Sequence, residues 1–267
     1  MDLVNAMRGE YSFSEKLLWG NLAVKGAIYL TTVATFIWAS GTISAVLLVF
    51  ACLGQACLFV LRILERTHLA TAERLRRLAV LQDGLGVDPA PAELAVLAEK
   101  VWNRTTPSLG EPYYSSQSPK GPSRLVDIVS ECAFYSSSIA GSAWRLFLVG
   151  SVGASTLLLT VFVLLVLSGV GKNHIDLIAK AFLLAVTFWM TEDVIASALE
   201  YRSVALACER VLLECSRLLH QRDLSVDQAY IVLHEYDAAV IGAPPLPGIV
   251  YRNRRKRLAQ IWTEANS

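Results

Sequence analysis

The sequence predicts an all-α polytopic membrane protein, with two transmembrane helical hairpins (four spans) that continue into a cytoplasmic helical bundle. Three observations lead there. Hydrophobic residues make up 54% of the 267-residue chain and charged residues 18%, below the roughly 25% charged of an ordinary soluble domain. Mean hydropathy is +0.45. Residues 26–61 carry no charged side chain, and one helix of that length would run about 54 Å at ~1.5 Å per residue, far beyond a hydrocarbon core of about 30 Å.

The long apolar stretch resolves into two spans, ~20–39 and ~43–62, turned at Ser40-Gly41-Thr42, where a glycine stands between small polar residues. Ser12-x-x-Glu15 has the capping-box pattern, which predicts a helix from about Phe13 into the first span. Trp19 falls at interface depth, and Lys25 is near enough to the end to snorkel. Acidic residues and a long run precede the apolar stretch, unlike a cleavable secretory leader.

After Arg62 no helix breaker appears until Gly84. Leu61, Leu64, His68, Thr71, Leu75, Leu78 and Gln82 step by three and four, one seam of a helix leaving the membrane. Asp88-Pro89 offers an N-cap and first-turn proline for a short helix with Leu94, Leu97 and Val101 on one face. Residues 105–123, rich in Pro, Gly and Ser, are the one long loop of a cytoplasmic segment, 63–145.

A helix restarts near Arg124 and passes the interfacial pair Trp144-Arg145 into a third span, ~146–168. GVGKNHID then turns the chain into a fourth span, ~175–194, completing a second hairpin over 146–194. Val194, Ser197, Tyr201, Val204, Cys208, Val211, Cys215 and Leu218 form a second three-four seam, opening the 195–267 stalk and tail. Ser225-x-x-Gln228 predicts a capping box, for a helix that closes at Gly242. The segment IVYRNRRKRLAQIW reads as a basic amphipathic helix.

Of 24 Lys and Arg, the hairpin turns hold only Lys172 and at most Lys180. The positive-inside rule therefore puts both termini in the cytoplasm, and the Asn103-Arg104-Thr105 sequon becomes a chance match. No metal, cofactor or enzyme activity is expected. GVGKN lacks the first Gly and the Ser/Thr of a P-loop, His234-Glu235 lacks the second His of a zinc motif, and the five cysteines form no CxxC.

Three candidate sites remain. Lys180, Glu192 and Asp193 are the ionisable residues of span four. The two acids read either as a gate formed when copies assemble, or as helix-end charges paired with Arg145 or Arg62. Arg252, Arg254, Arg255, Lys256 and Arg257 form a basic cluster suited to anionic lipid or another phosphate, at ~1 kcal/mol per residue near a membrane surface. Tyr113 and Tyr114, with Arg124 just after, offer ring faces and a planar cation for a base and a phosphate, or else an aromatic plug that pins the loop.

EPYYSS followed by RLVDIVSECAFYSSSIA, and the tail HEYDAAVIGAPPLPGIVYRNRRKRLAQIW, resemble the bacterial SMODS-associating four-transmembrane effector family of CBASS-like anti-phage systems. The resemblance implies an inner-membrane effector encoded beside a nucleotidyltransferase. Such an effector answers a cyclic (oligo)nucleotide signal and assembles as a homo-oligomer that permeabilises the lipid bilayer, with no DNA partner. Within the family-like stretch, Tyr113, Tyr114, Arg124 and Glu131 are the ligand-binding candidates. A constitutive channel or small transporter, and a membrane-anchored scaffold, are the alternatives.

Overall fold

The computed structural model describes residues 1–38, 41–101, 113–168, 174–221, 223–241 and 243–265. The backbone alone is described at 35–38, 41–45, 48, 158, 161–162, 164–168, 174–186 and 188–192. Among the described residues every regular element is helical, as expected: α1 (Leu3–Trp38), α2 (Gly41–Gly84), α3 (Pro91–Val101), α4 (Pro122–Ser168), α5 (His174–Leu219), α6 (Val226–Val240) and α7 (Gly248–Ala265). Ser40, residues 105–112, the sequon, GVGKN and Gly242 lie outside the described residues.

The helices form two compact units. Unit 1 holds Met1–Glu15, Arg66–Ala143 and Glu200–Ser267, and unit 2 holds Lys16–Glu65 and Trp144–Leu199. Both divisions of the first hairpin fall inside α1 and α2, and those of the second inside α4 and α5.

Unit 1 packs α3 against the start of α1 and the later half of α2. Leu97 and Val101 meet Leu3, Met7, Leu75 and Ala79, with Leu94 alongside. On α5 the expected seam is buried from Tyr201 through Val204, Cys208, Val211 and Cys215 to Leu218, and the Tyr201 hydroxyl donates to the Pro245 carbonyl at 2.7 Å. The Ser225 capping box of α6 forms as expected, with the Ser225 side chain accepting from Gln228 N and the Gln228 side chain accepting from Ser225 N. Gly84 O accepts from Gly121 N at 2.8 Å, tying the end of α2 to the start of α4. Gly86, at φ 74°, makes the left-handed exit from α2.

Three local expectations are corrected. Helix α1 begins at Leu3 and not near Phe13, because Asp2 Oδ1 accepts from the amides of Val4 and Asn5 at 3.1 Å each and caps an earlier turn. Helix α3 begins at Pro91, not Pro89, while Asp88 accepts from Gln82 Nε2 at 3.1 Å. The α2 seam is rotated: Leu64 is exposed, and Ala72, Arg76 and Ala79 are buried beside Leu75 and Leu78.

In unit 2, Val24 and Ile28 of α1 pack on Ala51 and Leu58 of α2. The Thr32 and Thr187 hydroxyls meet at 2.8 Å, and Tyr29 OH donates to the Ala154 carbonyl at 3.1 Å. By length and composition, one stretch among the described residues is apolar enough to cross a membrane. It is Leu3–Ala34, with a mean hydropathy of 1.2 in a window 22% buried. Among the described residues no other stretch meets that measure, and each of the three other expected spans includes residues or side chains outside the described set.

Candidate functional site

The described part of the loop that carries Tyr113 and Tyr114 is held at Ser115, Ser116 and Ser118 by side chains of α4. Arg124 donates through Nη1 to the carbonyls of Ser116 (2.9 Å) and Ser118 (2.8 Å). Its Nε and Nη2 reach the carbonyl and carboxylate of Asp83 at the end of α2. Glu131 Oε2 accepts from both the amide and the hydroxyl of Ser115 at 2.9 Å. Ser116 and Ser118 donate to Asp127. The same Ser115 hydroxyl accepts from Trp262 Nε1 of α7 at 3.0 Å, and the indole lies against Phe134. Arg124 and Glu131 thus organise the loop, and Arg124 also ties it to Asp83 at the end of α2.

The two tyrosines part company. Tyr113 is 43% exposed, packs edge-on to Tyr114, and has the Arg8 guanidinium 4.8 Å from its ring centre. Tyr114 is buried, and its hydroxyl meets no hydrogen-bond partner among the described residues. Burial, with smaller effects of Cys132 and Tyr113, holds the Tyr114 phenol well above its ordinary pKa, so it stays a donor at neutral pH.

Beside it in unit 1 runs a buried polar chain that the pattern of the sequence did not disclose. Tyr11 OH donates to Glu73 Oε1 at 2.5 Å, Arg76 Nε to Glu73 Oε2 at 2.7 Å, and Arg76 Nη2 to Asp237 Oδ1 at 2.6 Å. The Arg76 guanidinium lies 4.6 Å from the centre of the Tyr236 ring, and Tyr236 OH meets Ser136 Oγ at 2.8 Å. Arg77 Nε stands 3.4 Å from Asp237 Oδ2. Arg76 Nη1 and Asp237 Oδ2 are buried with no hydrogen-bond partner among the described residues. Burial opposes the Arg76 charge, but Glu73 together with Tyr236, Tyr11 and Cys132 outweighs it, and the group remains a permanent cation.

The only sequence signal for this chain is Glu73-x-x-Arg76 among Ala72, Leu75 and Ala79. Three arginines lie at 74, 76 and 77, and periodicity alone does not say which of them turns inward. His68 takes a polar packing role, its Nδ1 2.7 Å from the buried Glu10 carboxylate and its ring edge-on to Phe13.

In unit 2, Asp193 accepts from Lys25 Nζ at 2.6 Å and is paired as well with Arg62 Nη2. Of the two helix-end partners proposed from the sequence, Arg62 is thus the one found. The side chains of Lys180 and Glu192 lie outside the described residues. On α7, Arg252, Arg255, Lys256 and Arg257 are exposed, while Arg254 turns inward to the Ser138 carbonyl at 3.3 Å. Leu258 is buried beneath the helix. The cluster is therefore four outward cations and one inward anchor.

Compared with known proteins, the chain matches no family model, no curated protein and no solved structure.

Proposed function

We propose that this chain is a four-span inner-membrane effector with both termini in the cytoplasm. On this reading it is gated by a nucleotide second messenger from a partner nucleotidyltransferase and permeabilises the bilayer as a homo-oligomer. The observation that carries the membrane part is the apolar exterior of unit 2. Leu30 on α1, Phe50, Leu53 and Phe59 on α2, and Val149 and Leu159 on α4 are each more than 60% exposed. Scattered exposed leucines are ordinary, but large aliphatic and aromatic side chains facing outward on three helices of one unit are suited to lipid and costly in water.

Support for gating is chemical. Unit 1 carries an exposed tyrosine at a loop, buried donors beside it, and a basic α7 fit for anionic headgroups. The resemblance to SMODS-associating four-transmembrane effectors supplies the anti-phage setting and the signal class. The Lys25–Asp193–Arg62 cluster favours a paired charge at the end of the fourth span over a gate, because the Asp193 carboxylate is already shared by two cations.

Expression in bacteria, with and without a nucleotidyltransferase that makes cyclic oligonucleotides, tests the reading through entry of a membrane-impermeant dye. Dye entry is expected only when the nucleotide is made. Leakage without it would point to a constitutive channel, and no leakage under either condition to a membrane-anchored scaffold.

A further inference from the structure

Helix α7 carries five basic residues between Arg252 and Arg257 against a single acid, Glu264. Packing within unit 1 fixes its rotation. Glu15 Oε1 accepts from Gly248 N at 3.0 Å at the start of the helix, and Arg254 turns in to the Ser138 carbonyl. Leu258 is buried, and Trp262 reaches the Ser115 hydroxyl. Arg252, Arg255, Lys256 and Arg257 are thereby left facing outward.

None of these four is paired with a carboxylate among the described residues. Elsewhere the arginines pair readily: Arg62, Arg74, Arg76, Arg77, Arg124 and Arg217 each stand in an ion pair. Arg252 is three residues from Arg255 and four from Lys256, spacings at which like charges on a helix surface repel. That repulsion works against the helix, and an anionic surface outside the fold relieves it.

The membrane reading selects which surface. Helices α1, α2, α4 and α5 run through both units, so a bilayer that holds unit 2 stays tethered to unit 1. Tethering raises the effective concentration of headgroups, and a patch of four cations then needs no high intrinsic affinity. A nucleic acid would have to reach the same four charges from free solution, in competition with salt. Ile249, 42% exposed and seven residues before Lys256, lies on the same stripe of the helix. It adds an apolar side chain of the kind that enters the headgroup layer.

We propose that α7 is a membrane-surface helix whose Arg252, Arg255, Lys256 and Arg257 bind the headgroups of anionic phospholipids, with Arg254 as its inward anchor. This rests on the membrane part of the reading above and names the lipid class within it.

Lys256, the one lysine of α7, serves as the reporter. The full chain is placed in nanodiscs of phosphatidylcholine, alone or with one third phosphatidylglycerol, and acetylated with a neutral reagent. Mass spectrometry reads the rate at Lys256 against that at the exposed Lys100 of α3. Phosphatidylglycerol is expected to slow Lys256 about threefold or more relative to Lys100, and 1 M NaCl, which cuts the screening length to about 3 Å, to restore it. Arg252→Gln combined with Arg255→Gln should remove most of the slowing. The melting midpoint should stay where it is, because neither side chain holds a carboxylate.

Equal rates at Lys256 in the two lipids, slowing that survives the salt or the double substitution, or slowing by a short RNA and not by phosphatidylglycerol would overturn the assignment. A chain that enters nanodiscs without lipid-dependent slowing keeps the membrane reading and loses the docking helix. A chain that stays in solution, yet floats with phosphatidylglycerol vesicles until Arg252 and Arg255 are replaced, loses the spans and keeps the docking helix. One that neither inserts nor floats loses both.

Discussion

Cys132, Cys208 and Cys215 lie in the packing of unit 1, where burial pushes each thiol up to about 12, against the lowering pull of Arg76 at Cys132 and Cys208. In the unfolded chain a thiol titrates near about 8.5. The neutral form is thus favoured by the fold, and its contribution to stability is complete below about pH 8.5 and lost as pH rises towards 12. Tyr236 and Tyr114, also raised by burial, add to the same slope at its upper end. The midpoint of chemical denaturation is expected to fall steadily between pH 8 and pH 10, and Cys208→Ala should flatten that fall. A midpoint independent of pH across this window would contradict the burial of these thiols. At pH 8 the same thiols should resist alkylation until the chain is unfolded.

Helix α2 ends close against α4. A methyl group added at Gly84 would stand 3.0 Å from both Leu125 Cα and Leu125 Cδ1, and the first of these is backbone that cannot swing aside. Gly84→Ala should therefore destabilise unit 1 by about 1–3 kcal/mol, read as a lower denaturation midpoint. A neutral result would mean that α2 and α4 are not held this near. The existence of each helix was legible in the sequence, as were the Ser225 capping box and the α5 seam from Tyr201 to Leu218, because that face is uniformly apolar or small. The α2 seam was not legible. Its leucines lie on more than one face, and a three-four rhythm gives the period of burial but not its phase. Loop composition singled out Tyr113 and Tyr114 as candidates, and the structure places one exposed and the other buried. Arg76 and Asp237 escaped notice because an inward arginine looks like any other until its carboxylate partner, far along the chain, is known.

At the scale of the whole molecule, the exterior of unit 2 and the interior of unit 1 follow different rules. Unit 2 turns large apolar side chains outward, while unit 1 buries charges in pairs. Leu53→Arg separates the membrane reading from a soluble one. On a surface facing water, a substitution at a 62% exposed leucine lies within about 0.5 kcal/mol of neutral. On a surface facing lipid, an arginine near the middle of a span costs roughly 2.5–3.5 kcal/mol on insertion scales. Retention of the parent in the membrane pellet after an alkaline carbonate wash, and partial loss of Leu53→Arg from it, is the expected result. Release of the parent into the supernatant would count against the membrane reading. The Arg76–Asp237 pair has a further consequence, in time. Its partners are 161 residues apart, and at about 5–20 residues per second of synthesis Arg76 leaves the ribosome roughly ten to thirty seconds before Asp237. Glu73, three residues away on the same helix, is present from the outset. Throughout that wait one carboxylate chaperones the guanidinium, and the arrival of the second marks the moment at which the nascent chain can close its interior.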